Sequence, residues 1–305
     1  MQLLILGASG FLGKNIVRLA TQTGWETVGT FQGSRSFPKW AQKNGCRPIR
    51  YDLLTGKSKL PGDVCIYAAG NSSDLESVRN PVRDLRLNVE ALARFLNTFR
   101  GGLVYISSAA VYEGHVGRVG PQECLRPTMP YAISKRTSEA YIEHHVSKGN
   151  LNWATILRLY YAYGLFDRPE RLVPRLVSAT QSRARKFRIT SSKGTLIDPL
   201  FAEDVARAAL SAATGRCANS TLDLCGGRPR PVPQFVREVI KYRGWTGSIV
   251  EVPRPDETPL RFYSSPNPAR RRLNLTAFVT LENGLEKYVR WRNGQGNDAL
   301  LSFLS

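Results

Sequence analysis

The chain has 305 residues, enough for one large domain or a domain with a smaller lobe. Its 42% apolar and 22% charged content is that of a globular protein rather than a disordered one. No run of 18 or more apolar residues occurs, so no membrane span is expected. Lys and Arg number 43 against 24 Asp and Glu, and the net charge of +19 favours anionic partners such as nucleotide cofactors, phosphorylated substrates, nucleic acid or acidic membrane.

Residues 3–6 (LLIL) form an apolar run of the length of a strand buried on both faces. Gly7, Gly10 and Gly13 follow, and behind them Phe11, Leu12, Ile16, Val17, Leu19 and Ala20 recur at helical spacing. The pattern predicts strand, glycine turn and helix. Gly7 permits the sharp turn, Gly10 the approach of backbone to a pyrophosphate, and Gly13 close packing of helix on strand. Gly7, Ser9, Gly10, Phe11, Leu12 and Gly13 are therefore candidate dinucleotide ligands, with the helix N-terminus facing the phosphates.

Residues 26–32 read as strand two. No acidic residue between Thr27 and Phe37 is available for a ribose 2′-hydroxyl, whereas Ser34 and Arg35 suit a 2′-phosphate. NADP(H) is favoured, with NAD(H) left open. Residues 48–53 read as strand three, ending at Asp52. Residues 64–70 read as strand four, ending in Ala68, Ala69 and Gly70, which let a flat cofactor lie against backbone. A helix is predicted over 81–100 with Leu85, Val89, Leu92, Phe95 and Leu96 as its apolar stripe and Asn88 as a buried polar group needing a partner. Residues 103–112 read as strand five, carrying Ser107 and Ser108. Tyr131 and Lys135 then stand four apart on a predicted helix and share a face. An ammonium beside a phenol favours the phenolate, and such a tyrosine exchanges a proton with an alcohol or carbonyl while a nicotinamide carries the hydride.

The glycine turn, Ala68–Ala69, Asn88, residues 107–112 (SSAAVY) and 131–135 (YAISK) stand in the order of the extended short-chain dehydrogenase/reductase family. The chain resembles its sugar-nucleotide epimerase, dehydratase and reductase branch. Residues 158–164 (RLYYAYG), 201–206 (FAEDVA), 222–227 (LDLCGG) and a helix over 281–291 match its later pattern, so the resemblance covers nearly the whole chain. It implies an α/β, Rossmann-type doubly wound parallel sheet with a smaller C-terminal substrate-binding lobe, divided as residues 1–164 and 165–305, some later segments returning to the core.

It further implies Tyr131 as acid/base, Lys135 as its tuner and a ribose ligand, and Ser108 as the hydroxyl on the substrate oxygen. Asp52 and Leu53 would face the adenine, Ala68, Ala69 and Gly70 would line the cofactor, Asn88 would help order its site, and Tyr160 would lie near the nicotinamide. The pattern also departs from the family. Ala109 and Ala110 fill the places of a dehydratase's acidic pair, which excludes that reaction. Tyr161 stands where an asparagine often touches substrate, and Ile197 where an arginine often holds the substrate diphosphate. Arg254 is left as a candidate phosphate ligand. The expected function is an NAD(P)-dependent keto-sugar reductase or epimerase acting on an anionic small molecule, which the resemblance makes a nucleotide sugar and the altered positions leave open to be another sugar.

Beyond residue 165, Arg168, Arg171, Arg175 and the run 183–188 (RARKFR) offer cations to such a substrate, most of them as a solvated face. Residues 229–233 (PRPVP) read as a rigid connector before a helix over 234–243. Five scattered cysteines without a C-x-x-C pair suit reduced thiols, three histidines make no metal site, and no basic leader precedes strand one, so a cytoplasmic protein is expected. The resemblance implies a homodimer formed through helix 81–100 and the YAISK helix. A second reading, a chain that keeps the fold without turnover and binds RNA through its charge, is weakened by the intact Ser–Tyr–Lys set and by the lack of any nucleic-acid-binding module.

Overall fold

The structure, a computed structural model, describes residues 1–182, 184–253 and 258–294. Seven strands form one parallel sheet: β1 (Gln2–Leu6), β2 (Glu26–Phe31), β3 (Cys46–Arg50), β4 (Val64–Tyr67), β5 (Gly102–Ser108), β6 (Trp153–Leu159) and β7 (Ser220–Leu224). Their spatial order is β7-β6-β5-β4-β1-β2-β3. The order in which successive strands are added reverses between β1 and β4, and the crevice beyond the carboxyl ends of these two parallel strands is where such a sheet holds its ligand.

The helices are α1 (Phe11–Gln22), α2 (Phe37–Lys43), α3 (Asp74–Arg79), α4 (Pro81–Leu85), α5 (Ala91–Thr98), α6 (Pro130–Ser147), α7 (Leu172–Gln181), α8 (Ala202–Ala213), α9 (Val232–Tyr242), α10 (Asn267–Arg272) and α11 (Leu281–Arg292). Side chains of β1 alternate between two layers. Leu3 and Ile5 join Ile16 and Val17 of α1 and the alanines of α8, while Leu4 and Leu6 join Leu92, Phe95 and Leu96 of α5 and Ile142 of α6. All four β1 leucine and isoleucine side chains are completely buried, as the unbroken apolar run requires.

A further core gathers Val173, Leu176 and Val177 of α7, Phe235 and Val236 of α9, and Leu285 of α11. Lys186–Ser191 pairs in parallel with Ser248–Pro253 alongside it. The chain beyond residue 165 also returns to the main sheet, through α8 and through β7 at its edge. No helix among the described residues is long and apolar enough to cross a membrane.

Several expected boundaries move. The helix over 81–100 is α4 and α5 joined by a π-helical turn at Arg86–Glu90, with Asn88 inside that turn. Widening the turn rotates the faces on either side, so Val89, Leu92, Phe95 and Leu96 are buried but Leu85 is 50% exposed. Strand five ends at Ser108, whose Oγ accepts the Ala110 N–H (3.1 Å) and turns Ala109–Tyr112 into a short 3₁₀ helix. Strands three and four are shorter than expected, leaving Asp52 and Ala68–Gly70 in the loops at their carboxyl ends. Within 229–233, Arg230–Pro231 is a short strand against Leu196–Ile197, and α9 begins at Val232.

Candidate active site

The glycine turn closes as its residue types require. Gly7 has φ of +78°, and a Cβ there would lie 2.8 Å from the Ala68 carbonyl oxygen. A Cβ on Gly13 would lie 2.1 Å from the Gly7 carbonyl oxygen, so α1 can approach β1 only with glycine there. Gly10 is different: it is exposed and caps α1 without any side-chain bond, and no acidic residue occupies the first turn. The first N–H groups of α1 are thus open to an anion.

The floor beside this turn is Ala68, Ala69 and Gly70. A Cβ on Gly70 would lie 2.3 Å from Asn88 Oδ1, an oxygen that is buried and has no hydrogen-bond partner. Asn88 Nδ2 donates to Asp84 Oδ1 (2.9 Å), which fixes the amide under the floor. At the far end Asp52 accepts from Gln32 Nε2 (2.7 Å) and from the Leu54 N–H (2.8 Å), with Leu53 partly buried beside it. Ser34 is half-buried and Arg35 exposed in the loop after β2. A bare glycine turn over an uncapped helix end, beside a floor of small residues, fits a dinucleotide.

Ser108, Tyr131 and Lys135 come from two elements packed on each other, the carboxyl end of β5 and the first turns of α6. Three acceptor side chains place the start of α6. Buried Glu113 accepts the backbone N–H groups of Thr128 (2.7 Å) and Met129 (2.6 Å), the Tyr131 N–H donates to buried Ser77 Oγ (3.2 Å), and Ser134 Oγ donates to Asp84 Oδ2 (2.6 Å). Lys135 is buried and its Nζ donates to the Ile106 carbonyl (3.1 Å) and to Tyr105 Oη (3.2 Å), fastening α6 to β5 just ahead of Ser108. Tyr131 is half-buried, with its phenol on the side of the helix that Lys135 shares.

Beside β5 runs a buried network that the sequence reading did not contain. Arg158 donates through Nε (3.0 Å) and Nη2 (2.8 Å) to the carboxylate of Glu139, which also accepts from Ser107 Oγ (2.6 Å). Arg158 Nη1 donates to Tyr112 Oη (2.8 Å), which donates to Asp223 Oδ1 (2.9 Å), and Ser264 Oγ donates to Asp223 Oδ2 (2.8 Å). Burial raises the Asp223 carboxyl above the usual range, against the pull of these hydroxyls and Arg158. The available signal was Glu139, one helical turn after Lys135 and on its buried face.

The remaining predicted residues divide. Tyr160 packs edge-on against Phe262 at 5.9 Å, and burial followed by the nearby Asp223 charge holds its phenol far above the ordinary value. Tyr161 is covered by the Arg171 guanidinium at 4.9 Å. Ile197 is buried in the second core. Arg168 Nη2 donates to Ser72 Oγ (2.9 Å), linking the loop after Tyr161–Tyr163 to the segment after β4. Arg254, and Arg183 of the 183–188 run, lie outside the described residues. Among the described residues no group of three His, Cys, Asp or Glu side chains could hold a metal ion.

An alignment over 156 residues, which covers 46% of this chain and 45% of the relative, is 31% identical to the GDP-6-deoxy-D-mannose reductase of Pseudomonas aeruginosa. The GDP-L-fucose synthase of Azorhizobium caulinodans is 25% identical over 270 residues, covering 82% of this chain and 83% of the relative. Among solved structures, MoeE5 in complex with UDP-glucose and NAD superposes with a TM-score of 0.85 at 23% identity, over 96% of this chain and 99% of that one. The UDP-glucuronic acid 4-epimerase of Bacillus cereus gives 0.84 at 18% identity, over 96% and 99%. These two share the fold. The model of the NAD dependent epimerase/dehydratase family matches residues 3–220, and the chain is an enzyme of that family.

Proposed function

We propose that the protein is an NAD(P)-dependent oxidoreductase of nucleotide-linked sugars, either a keto-sugar reductase or an epimerase. What supports this reading is that an uncapped glycine turn after β1, and Ser108, Tyr131 and Lys135 at the carboxyl end of β5 and the start of α6, belong to the same end of one parallel sheet. The nicotinamide, when bound, supplies or takes up the hydride. Tyr131 then gives a proton to, or takes one from, the sugar oxygen. The Ser108 hydroxyl donates to the same oxygen, and Lys135, through its bonds to Tyr105 Oη and the Ile106 carbonyl, holds the first turns of α6 against β5. Ala109 and Ala110 are buried and apolar beside Ser108, so no carboxyl is in place there for elimination.

Ser34 and Arg35, with no acidic side chain between Thr27 and Phe37, support NADP(H) as the preferred cofactor. Arg35→Ala is expected to weaken NADPH binding by roughly tenfold and to leave NADH within about twofold, read by fluorescence titration. Equal effects on the two cofactors would sink the preference. Nucleotide released from protein purified without added cofactor separates the two chemistries. Stoichiometric NAD(H) supports an epimerase that recycles its hydride, whereas an empty protein that takes NADPH more tightly than NADH supports a reductase.

The exposed apolar side chains Val78, Val82 and Leu85 on α3 and α4, and Ile133 and Tyr141 on α6, support a homodimer through these helices. Light scattering is expected to give a dimer for the native chain and a monomer for Val82→Asp. A native chain that stays monomeric at high micromolar concentration contradicts this.

A further inference from the structure

Arg171 is a cation that the catalytic reading leaves without a task. Its guanidinium lies between the rings of Phe11 (5.5 Å) and Tyr161 (4.9 Å), and its Nη1 donates to Asp167 Oδ1 at 3.2 Å. Phe11 opens α1 directly after the glycine turn. Tyr161 occupies the place where the family resemblance expects an asparagine that touches substrate. The Asp167 side chain is fully buried, its Oδ2 has no hydrogen-bond partner, and burial pushes its carboxyl up to about 6 although Arg171 opposes the shift. The Arg171 side chain keeps 26% of its surface exposed, and the Asp167 carboxylate together with the nearby Tyr161 hydroxyl engages part of its fork.

Two rings and a carboxylate therefore hold the plane of the guanidinium in advance, which lowers the ordering cost of binding. A fixed planar fork matches paired phosphate oxygens better than a lysine does. Arg171 also stands within electrostatic reach of Tyr131. Ile197, where the resemblance expects the diphosphate arginine, is buried among apolar side chains.

We propose that Arg171 determines substrate recognition by binding the diphosphate of the nucleotide sugar, in place of the arginine absent at Ile197. The inference rests on the sugar-nucleotide reading of the site. It is tested by calorimetric titration of the native chain, Arg171→Leu and Arg171→Lys with UDP, GDP and dTDP, with the matching nucleosides, and with NADH and NADPH. The nucleoside diphosphate that the native chain binds most tightly should lose roughly 30-fold in affinity in Arg171→Leu and several-fold in Arg171→Lys. Nucleoside and reduced-cofactor affinities should stay within about twofold.

Unchanged diphosphate affinity in both variants overturns the proposal and leaves the sugar-nucleotide reading standing. A loss that falls on NADH and NADPH instead gives the guanidinium to the cofactor's pyrophosphate and also overturns it. A native chain that binds none of the three diphosphates overturns the proposal together with the reading it rests on. Should Arg171→Leu not fold, Arg171→Lys decides by itself, because it keeps the charge and removes only the planar fork.

Discussion

Tyr131→Phe is expected to lower turnover by about 10³-fold while leaving NADH and NADPH affinity within about twofold. The phenol is half-buried on the first turn of α6, and that turn is held by backbone rather than by the phenol. Ser77 Oγ takes the Tyr131 N–H (3.2 Å), and Glu113 takes the N–H groups of Thr128 and Met129. Removing the hydroxyl leaves helix, Ser108 and Lys135 in place and deletes only the proton carrier. Steady-state rates with a turned-over sugar nucleotide, beside cofactor fluorescence titration, check both halves. Undiminished turnover would remove Tyr131 from the mechanism. A parallel loss of cofactor affinity would mean that the phenol serves binding rather than proton transfer.

Arg158→Met is expected to destabilise the fold by about 3–5 kcal/mol, the largest effect of any single change outside the hydrophobic core. Glu139 is completely buried, and Arg158, itself 3% exposed, is its bidentate partner at 3.0 and 2.8 Å. Without Arg158 the carboxylate keeps the Ser107 hydroxyl and the more distant Arg136 at 3.7 Å, neither sufficient to replace a desolvated guanidinium. Urea unfolding measures the loss. The double variant Arg158→Met with Glu139→Gln should recover a substantial part of it, because the uncompensated charge is then gone. A loss below about 1 kcal/mol in the single variant would show that the pair is not what holds β5, β6 and α6 together.

What the sequence disclosed was local. The glycine turn, the four-residue spacing of Tyr131 and Lys135 and the apolar run of β1 each express their physics within a few residues. The parallel, doubly wound sheet came from the family resemblance, and its spatial strand order only from the structure. What stayed hidden depends on distant parts meeting. Arg158 and Glu139 lie 19 residues apart on different elements, and Tyr112 and Asp223 lie 111 apart, so no periodicity links them. The π-helical turn at Arg86–Glu90 was hidden for a related reason. The Asn88 amide is drawn to Asp84 in a buried seam with Ser134, and this overrides the simple stripe that placed Leu85 inside. Arg171 was visible only as one of many arginines, because its contacts with Phe11 and Tyr161 join the start of α1 to the middle of the chain.

The most direct measurement is proton NMR of UDP-, GDP- and dTDP-linked sugars, 4-keto forms included, incubated with the native chain or Tyr131→Phe in the presence of NAD⁺ or NADPH. The account predicts that the native chain inverts or reduces one class of these compounds at a single sugar carbon, and that Tyr131→Phe leaves the same compounds unchanged on the same timescale. A native chain that binds dinucleotide yet alters none of them would contradict it.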